Sequence, residues 1–492
     1  MLNTVWSALD LPASALDAVT VMGEGALPSY FAVTELAAAS VGAAALAVRE
    51  LMRMQGAAPA RVTVDRRLAS MWFGWSLHPA GWELPPSWDA VAGDYATADG
   101  WIRLHTNAPH HRAAALAVLG CGEDRAAVAR AVAGWRGLAL EEAIVAQGGC
   151  AAMMRSMAEW QAHPQGISVA SEPLIAFTPA SADRPMFTPA SADRPMRPGA
   201  DRSTAEVAGA DEEARRRRLG RGAWAWAKTW AWKPQRPLAG LKVLDLTRVL
   251  AGPVATRFLA GYGADVLRID PPNWNEPGVI PEVTLGKRCA RLDLMLPADR
   301  AIFEHLLATA DVLVHGYRPD ALERLGYGAA FRRQHNPGLI DVTLDAYGWT
   351  GPLASRRGFD SLVQMSCGIA QHGMQRQGVD KPVPLPVQAL DHATGYLMAA
   401  AVVRALIARL EGRTLHARLS LARTAKLLTD APAGMPSGLA PAAEPDFAAV
   451  LEQTGWGPAK RYRPPVAIDG APMTWARPAA CLGSSQACWT GE

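Results

Sequence analysis

"LAGLKVLDLTRVLAGPVATRFLAGYGADVLRID", Leu238 to Asp270, reads as strand, turn, helix and strand in quick succession. "LKVLDL" is an apolar run of the kind a buried strand carries, and "ADVLRID" is a second. Between them "GPVATRFLAGYG" is a helix entered through Pro253 and closed by Gly263. The alternation continues: "ADVLVHG" predicts a strand, "PDALERLGYGAAFRRQHN" a helix and "GLIDVTLDAYG" another strand. This pattern predicts an α/β fold on a parallel, doubly wound sheet. Such sheets bind ligands at the carboxyl ends of their strands.

The chain of 492 residues is too long for one ordinary core. Half of it is hydrophobic and 19% is charged, so large cores can be buried. Residues 1–175 are Ala-rich and helical in period, with a strand-like "RVTVD" and the segment "GDYATADGWIRLHTNAPHHR". Residues 176–236 read as a flexible linker, because "FTPASADRPM" at Phe177–Met186 recurs identically at Phe187–Met196. The linker ends in "WAWAKTWAW". Its Trp224, Trp226, Trp230 and Trp232 share one face of an extended chain and are expected to dock on a domain. Residues 237–430 form the parallel-sheet domain, and 431–492 a Pro- and Trp-rich tail expected to pack along it.

A formal charge of +3 gives no reason to expect a nucleic-acid partner. Six scattered cysteines without a C-x-x-C pair argue against a zinc ribbon or disulfide framework and suit the cytoplasm; no metal site is expected. The opening "MLNTVWSALDLPASALDAV" has no basic run ahead of an apolar stretch, so no secretory signal is expected. The longest uncharged apolar run, "LAAASVGAAALAV", is shorter than the ~18 residues of a membrane span.

A second, diverged repeat runs at an offset of 355 residues (404 minus 49). It aligns "VGAAALAVREL" at Val41–Leu51 with "YLMAAAVVRAL" at Tyr396–Leu406, and "VTVD" at Val62–Asp65 with "ARLS" at Ala417–Ser420. Helix followed by strand is written twice. Asp391 of the second copy meets Leu36 in the first, so the first reads as a partial copy without its acid.

Asp391 stands in "PVPLPVQALDHATGYLMAAAVVRAL", Pro382 to Leu406, where an extended apolar segment turns into a small-residue helix. Two roles compete: a helix N-cap, with roughly 1 kcal/mol at stake, or an acid presented for chemistry. His392 points about 100° away on the helix and reads as structural. The turn "TRVLAGPVATRF" offers a helix N-terminus to a phosphate or an oxyanion. Gly252 is its only glycine, so it is not a dinucleotide fingerprint. Lys287 and Arg288 precede one strand, Tyr317 ends another and Arg324 lies on the helix after it. Cations and a ring at successive strand ends would suit a phosphorylated adenine ligand.

Taken in order, "LAGLKVLDLTRVLAGPVATRFLAGYGADVLRID", "LGKRCARLDL", "ADVLVHGYRPDALERLGYG", "DAYGWTGP", "RRGFDSLVQMSCGIA" and "LDHATGYLMAAAVVRALIAR" closely resemble the class III CoA-transferases. That group contains formyl-CoA and carnitine CoA-transferases and α-methylacyl-CoA racemases, and the likeness runs from about Pro237 to Asp430. It implies a Rossmann-like large domain, a smaller α/β domain and intertwined dimers. Here it suggests either a homodimer or an intramolecular pseudo-dimer of fused, partly degenerate copies. Asp391 takes the place of the family's nucleophile. Val249, Leu250 and Ala251 would line the CoA channel, Lys287, Tyr317 and Arg324 match CoA-contacting positions, and Tyr347 matches a residue near the thioester. Pro271 after Asp270, and His315 with Gly316, depart from the family pattern near the adenine.

The resemblance implies CoA as substrate and product, with no resident cofactor. Asp391 attacks an acyl-CoA to give a mixed anhydride and CoA thiolate. The thiolate then takes the aspartyl carbonyl, releasing the first acid and leaving an aspartyl-CoA thioester that a second carboxylic acid consumes. Amides at the start of the Asp391 helix would hold each oxyanion. One alternative is a racemase or epimerase, which would wash deuterium into the acyl α-carbon. Racemase relatives carry a histidine where this chain has Phe359, and Phe359 cannot move a proton. The other is a non-catalytic CoA-binding protein, which would form no adduct on Asp391.

Overall fold

The computed structural model describes residues 1–180, 233–317, 320–434 and 438–491. Its largest sheet has seven strands: β1 Ala176–Pro179, β2 Lys242–Leu246, β3 Asp265–Asp270, β4 Arg288–Arg291, β5 Val312–His315, β6 Ile340–Asp345 and β7 Leu415–Ser420. Their spatial order is β4-β3-β2-β5-β6-β7-β1. The first six are parallel, and β1 closes the edge antiparallel to β7. Outward from β2 the six follow the doubly wound order 3-2-1-4-5-6.

Three sequence assignments shift. β1 falls inside the expected linker, and its Phe177–Pro179 belong to the first copy of the decapeptide. The second copy and the tryptophan run lie outside the described residues. The helix expected over "PDALERLGYGAAFRRQHN" is two short ones, Ala321–Arg324 and Ala329–His335, separated where Gly326 adopts φ +87°. "PVPLPVQ" forms no strand, since Pro382, Pro384 and Pro386 have no amide to give a ladder.

Helices α1, Val33–Met54, and α4, Ala389–Leu410, are each 22 residues long and pack along one another in the main core. Between them in sequence, α2 (Ala251–Gly261) follows β2 and α3 (Asp360–Ser366) lies just ahead of α4. α4 alone among the described helices is long and apolar enough to cross a membrane, and 94% of it is buried in this fold. Small residues let α2 and α4 touch: a Cβ on Gly395 would lie 2.4 Å from the Ala251 carbonyl oxygen.

The 355-residue repeat has a local counterpart. After α1 come a strand at Val62–Asp65 and a helix opening at Arg66, capped by Asp65. After α4 come β7 and a helix opening at Leu421, capped by Ser420. The likeness stops there, because Val62–Asp65 pairs with Val19–Met22 and Val466–Ile468 in a separate sheet.

A hairpin, Gly93–Thr97 with Gly100–Leu104, joins Ala151–Met153 under three helices to form a second, smaller α/β core around Tyr95, Ile102, Leu140 and Ile144. The tail was expected on the large domain, yet it binds both halves. Gly457–Arg461 pairs with Leu77–Pro79, Trp475 stacks 5.5 Å from Trp72, and Trp489 enters the core behind β2.

Candidate active site

A cavity of about 280 Å³ lies at the carboxyl ends of β2, β5 and β6, where a doubly wound sheet holds its ligands. Asp391 lines it, together with Val249, Leu250, Ala251 and Tyr317.

α4 begins at Ala389 with Gln388 as its cap, so Asp391 sits inside the first turn and does not cap the helix. Its carboxyl has no hydrogen-bond partner among the described residues; instead its amide donates to Asp360 Oδ2 at 2.9 Å. Asp360, fully buried at the start of α3, also takes the Leu390 amide and the Gln364 side chain. The two carboxyls are thus close neighbours. Burial, and then the charge of Asp360, holds the Asp391 carboxyl well above the usual carboxylate range. Burial likewise pushes Asp360 up, to about 6, against the pull of the Asp391 amide.

This arrangement corrects the expected oxyanion donors. In the first turn of α4, Ala389 donates to Val387 O, Leu390 and Asp391 to Asp360, and His392 to Gln388 O. The amides of Leu250, Ala251 and Gly252 at the start of α2 have no acceptor among the described residues. Gly395, one helical turn on from Asp391, abuts Ala251, and Leu250, Ala251, Gly252 and Asp391 line the same cavity. Val249 holds this loop at φ +63°, a strained state for a β-branched residue. Its amide is anchored to the Glu276 carboxylate at 2.9 Å, which Arg268 pairs at 2.7 Å.

Three of the residues singled out in sequence lie outside the cavity wall. Lys287 is buried, its ammonium 3.0 Å from both Asp245 Oδ2 and Pro253 O. It therefore braces the β2–α2 turn from behind. The Arg324 side chain is 59% exposed and pairs with Asp320 at 3.3 Å. Tyr347 is buried, its hydroxyl 3.1 Å from Ser366 Oγ, and it packs behind Gly358.

Other groups take part that were not singled out. The Arg248 guanidinium lies between the rings of Trp274, at 4.3 Å, and Tyr317, at 5.1 Å, and donates to the Tyr317 hydroxyl at 3.0 Å. Arg357 and Phe359 line the cavity, Phe359 with its ring stacked 3.7 Å from His105. Burial raises the Asp345 carboxyl at the end of β6 to about 8. His110 and His111 reach the wall from the smaller core. The doubled histidine at a helix start, in "NAPHHR", was their only sequence signal.

Residues 238–465 match CoA-transferase family III. Over 183 residues the chain is 38% identical to the acetyl-coenzyme A transferase nodX of Hypoxylon pulicicidum, covering 36% of this chain and 31% of that one. It is 35% identical to the acetyl-CoA:oxalate CoA-transferase of Acetobacter aceti, covering 36% and 48%. It is 32% identical to the succinyl-CoA:glutarate CoA-transferase of Mus musculus, covering 39% and 48%. The chain therefore spans less than half the length of these relatives. The segment that carries Asp391, residues 238–465, is thus the part of the chain that is similar to CoA-transferase family III.

Proposed function

We propose that this protein moves CoA between an acyl-CoA thioester and a carboxylic acid, with Asp391 as the nucleophile. The observation that carries the reading is a carboxyl with no hydrogen-bond partner among the described residues, in the wall of a cavity that the residues opening α2 also line. A carboxylate held out of water without hydrogen bonds is a stronger nucleophile than a solvated one. It attacks the thioester carbonyl, the C–S bond breaks, and CoA leaves as its thiolate, giving an acyl-aspartyl anhydride. The thiolate adds to the aspartyl carbonyl, expelling the first acid and leaving an aspartyl-CoA thioester. The incoming carboxylate reverses both steps, so thioester energy is conserved. Each oxyanion would be met by the Leu250, Ala251 and Gly252 amides, at roughly 3 kcal/mol per donor. The relatives' names support this class of reaction, and six free thiols suit a reducing cytoplasm. The repeated helix–strand–helix unit supports an intramolecular pseudo-dimer of related halves.

Intact mass after mixing with a panel of acyl-CoAs is expected to rise by one CoA less one water, on the peptide carrying Asp391. Hydroxylamine is expected to displace CoA as its free thiol and leave a hydroxamate on Asp391. A protein that turns over acyl-CoA without ever carrying this mass refutes the aspartyl thioester.

Asp360 sets when Asp391 is ready. With Asp360→Asn the neighbouring negative charge goes, so the Asp391 carboxyl is easier to ionise. The acid limb of kcat/KM is expected to move to lower pH, while burial keeps it above that of a free carboxylate. Asparagine cannot accept from both Gln364 and the Asp391 amide, so roughly 1–3 kcal/mol of stability is lost. An acid limb that stays in place removes Asp360 from this role.

A further inference from the structure

One wall of the cavity comes from outside the segment that matches the family. His110 and His111 open the helix Pro109–Leu119, and their rings lie 4.1 Å apart. Across from them stand Arg248, gripped between Trp274 and Tyr317, and Arg357, which donates to Gly148 O at 3.2 Å and reaches His111 Nε2 at 3.4 Å. The ring nitrogen Nδ1 of His111 and Nε of Arg248 are buried without a hydrogen-bond partner among the described residues. The carboxyls lining the same space, Asp345 and Asp391, both favour their protonated forms, so they do little to neutralise these cations. The result is a small space with converging positive groups and flanking aromatic faces.

We propose that His110 is a phosphate-binding residue, closing with Arg248 and Arg357 a three-cation clamp on the diphosphate of CoA. The clamp rests on the CoA reading above, and it gives the smaller core a direct part in the site. Phosphate oxygens accept bidentate bonds from guanidinium and a charged bond from imidazolium. His110 is held below its ordinary value by burial, then by Arg357 and Arg248. Its other neighbour in the cavity, His111, is pushed down to about 3 by burial, His110 and Arg357, and stays neutral. A dianion placed between the cations reverses the repulsion on His110 and raises its pKa. Binding therefore takes up a proton, and affinity rises as pH falls through the His110 titration.

The test is calorimetric titration of the full chain with CoA near neutral pH, in two buffers of different ionisation enthalpy. Wild type is expected to take up a fraction of a proton per CoA. His110→Asn is expected to abolish that uptake and weaken CoA about tenfold. Pantetheine, which has no phosphate, is expected to bind both proteins alike. Inorganic pyrophosphate is the second probe. If CoA fails to bind wild type while pyrophosphate binds with uptake that depends on His110, the clamp stands and the CoA-transfer reading falls. Equal CoA affinity and equal proton uptake in wild type and His110→Asn overturn the clamp. So does a loss that falls on pantetheine as heavily as on CoA.

Discussion

Replacing Asp391 with asparagine is expected to lower kcat/KM for CoA transfer by roughly four orders of magnitude or more, while raising the melting temperature. The first half follows from covalent chemistry. An amide oxygen cannot displace CoA, and losing a nucleophile removes most of the catalysis that other groups support. The second half follows from the cost of keeping the acid in place. The carboxyl is buried, accepts no hydrogen bond and faces Asp360, so its folded-state pKa lies above its unfolded value. In that window the unfolded chain holds fewer protons than the folded one, so stability falls as pH rises from about 4 toward the raised value. Asparagine has nothing to ionise and escapes this loss, so the variant gains most on the alkaline side of the window. Activity and stability should move in opposite directions, as at a strained functional position. Thermal melts from acid to alkaline pH, run beside the kinetics, check both halves. An asparagine variant that melts lower than wild type throughout would mean that Asp391 is a structural acid.

How far the sequence foretold this site depends on where each interaction comes from. β2 and β3 were legible because both faces are covered, which writes them as unbroken apolar runs. The succession of helix and strand in the two copies was legible in the 355-residue offset, whereas the shared 22-residue helix length and the caps at Asp65 and Ser420 appear only in the structure. The break at Gly326 had a local signal in "LGYG" that helical periodicity alone overrode. Lys287 could not be placed, since its partner Asp245 lies 42 residues earlier and nothing local to "LGKR" says its charge is neutralised from below. His110 was hidden for a deeper reason. Its proposed role depends on how the smaller core docks on the large sheet, through pairs such as Glu141 with Arg356 and His105 with Phe359 whose partners lie far apart in sequence. Asp360 was visible in "RRGFD" as a residue type, but its grip on the start of α4 is purely tertiary.

The joint between the Ser76–Leu77 stretch, α2 and the tail is expected to depend most on Glu282. This carboxylate is buried and gathers groups from three separate stretches of chain. Ser76 and Leu77 of the first half donate their amides at 3.1 Å each, with the Ser76 hydroxyl at 2.7 Å. Arg257 of α2 pairs with it, and Arg461 of the tail approaches to 3.4 Å. Glu282→Ala leaves Arg257 buried without its counter-charge and two amides without an acceptor. Breaking a buried pair from one side costs about 3–5 kcal/mol. The expected result is a fall of several degrees or more in the melting temperature. The exposed pair Lys460–Glu444 is the control: removing it should cost no more than about 1 kcal/mol. A third variant separates charge from packing. Replacing Glu282, Arg257 and Arg461 together with apolar residues of similar volume removes the three charges at the centre but leaves Glu452 without Arg461, so it should recover part of the lost stability. If Glu282→Ala melts no lower than the Lys460–Glu444 control, the halves are held by apolar packing alone, through contacts such as Trp72 on Trp475. If the triple variant stays as unstable as the single one, the cost lies in shape and not in the stranded guanidinium.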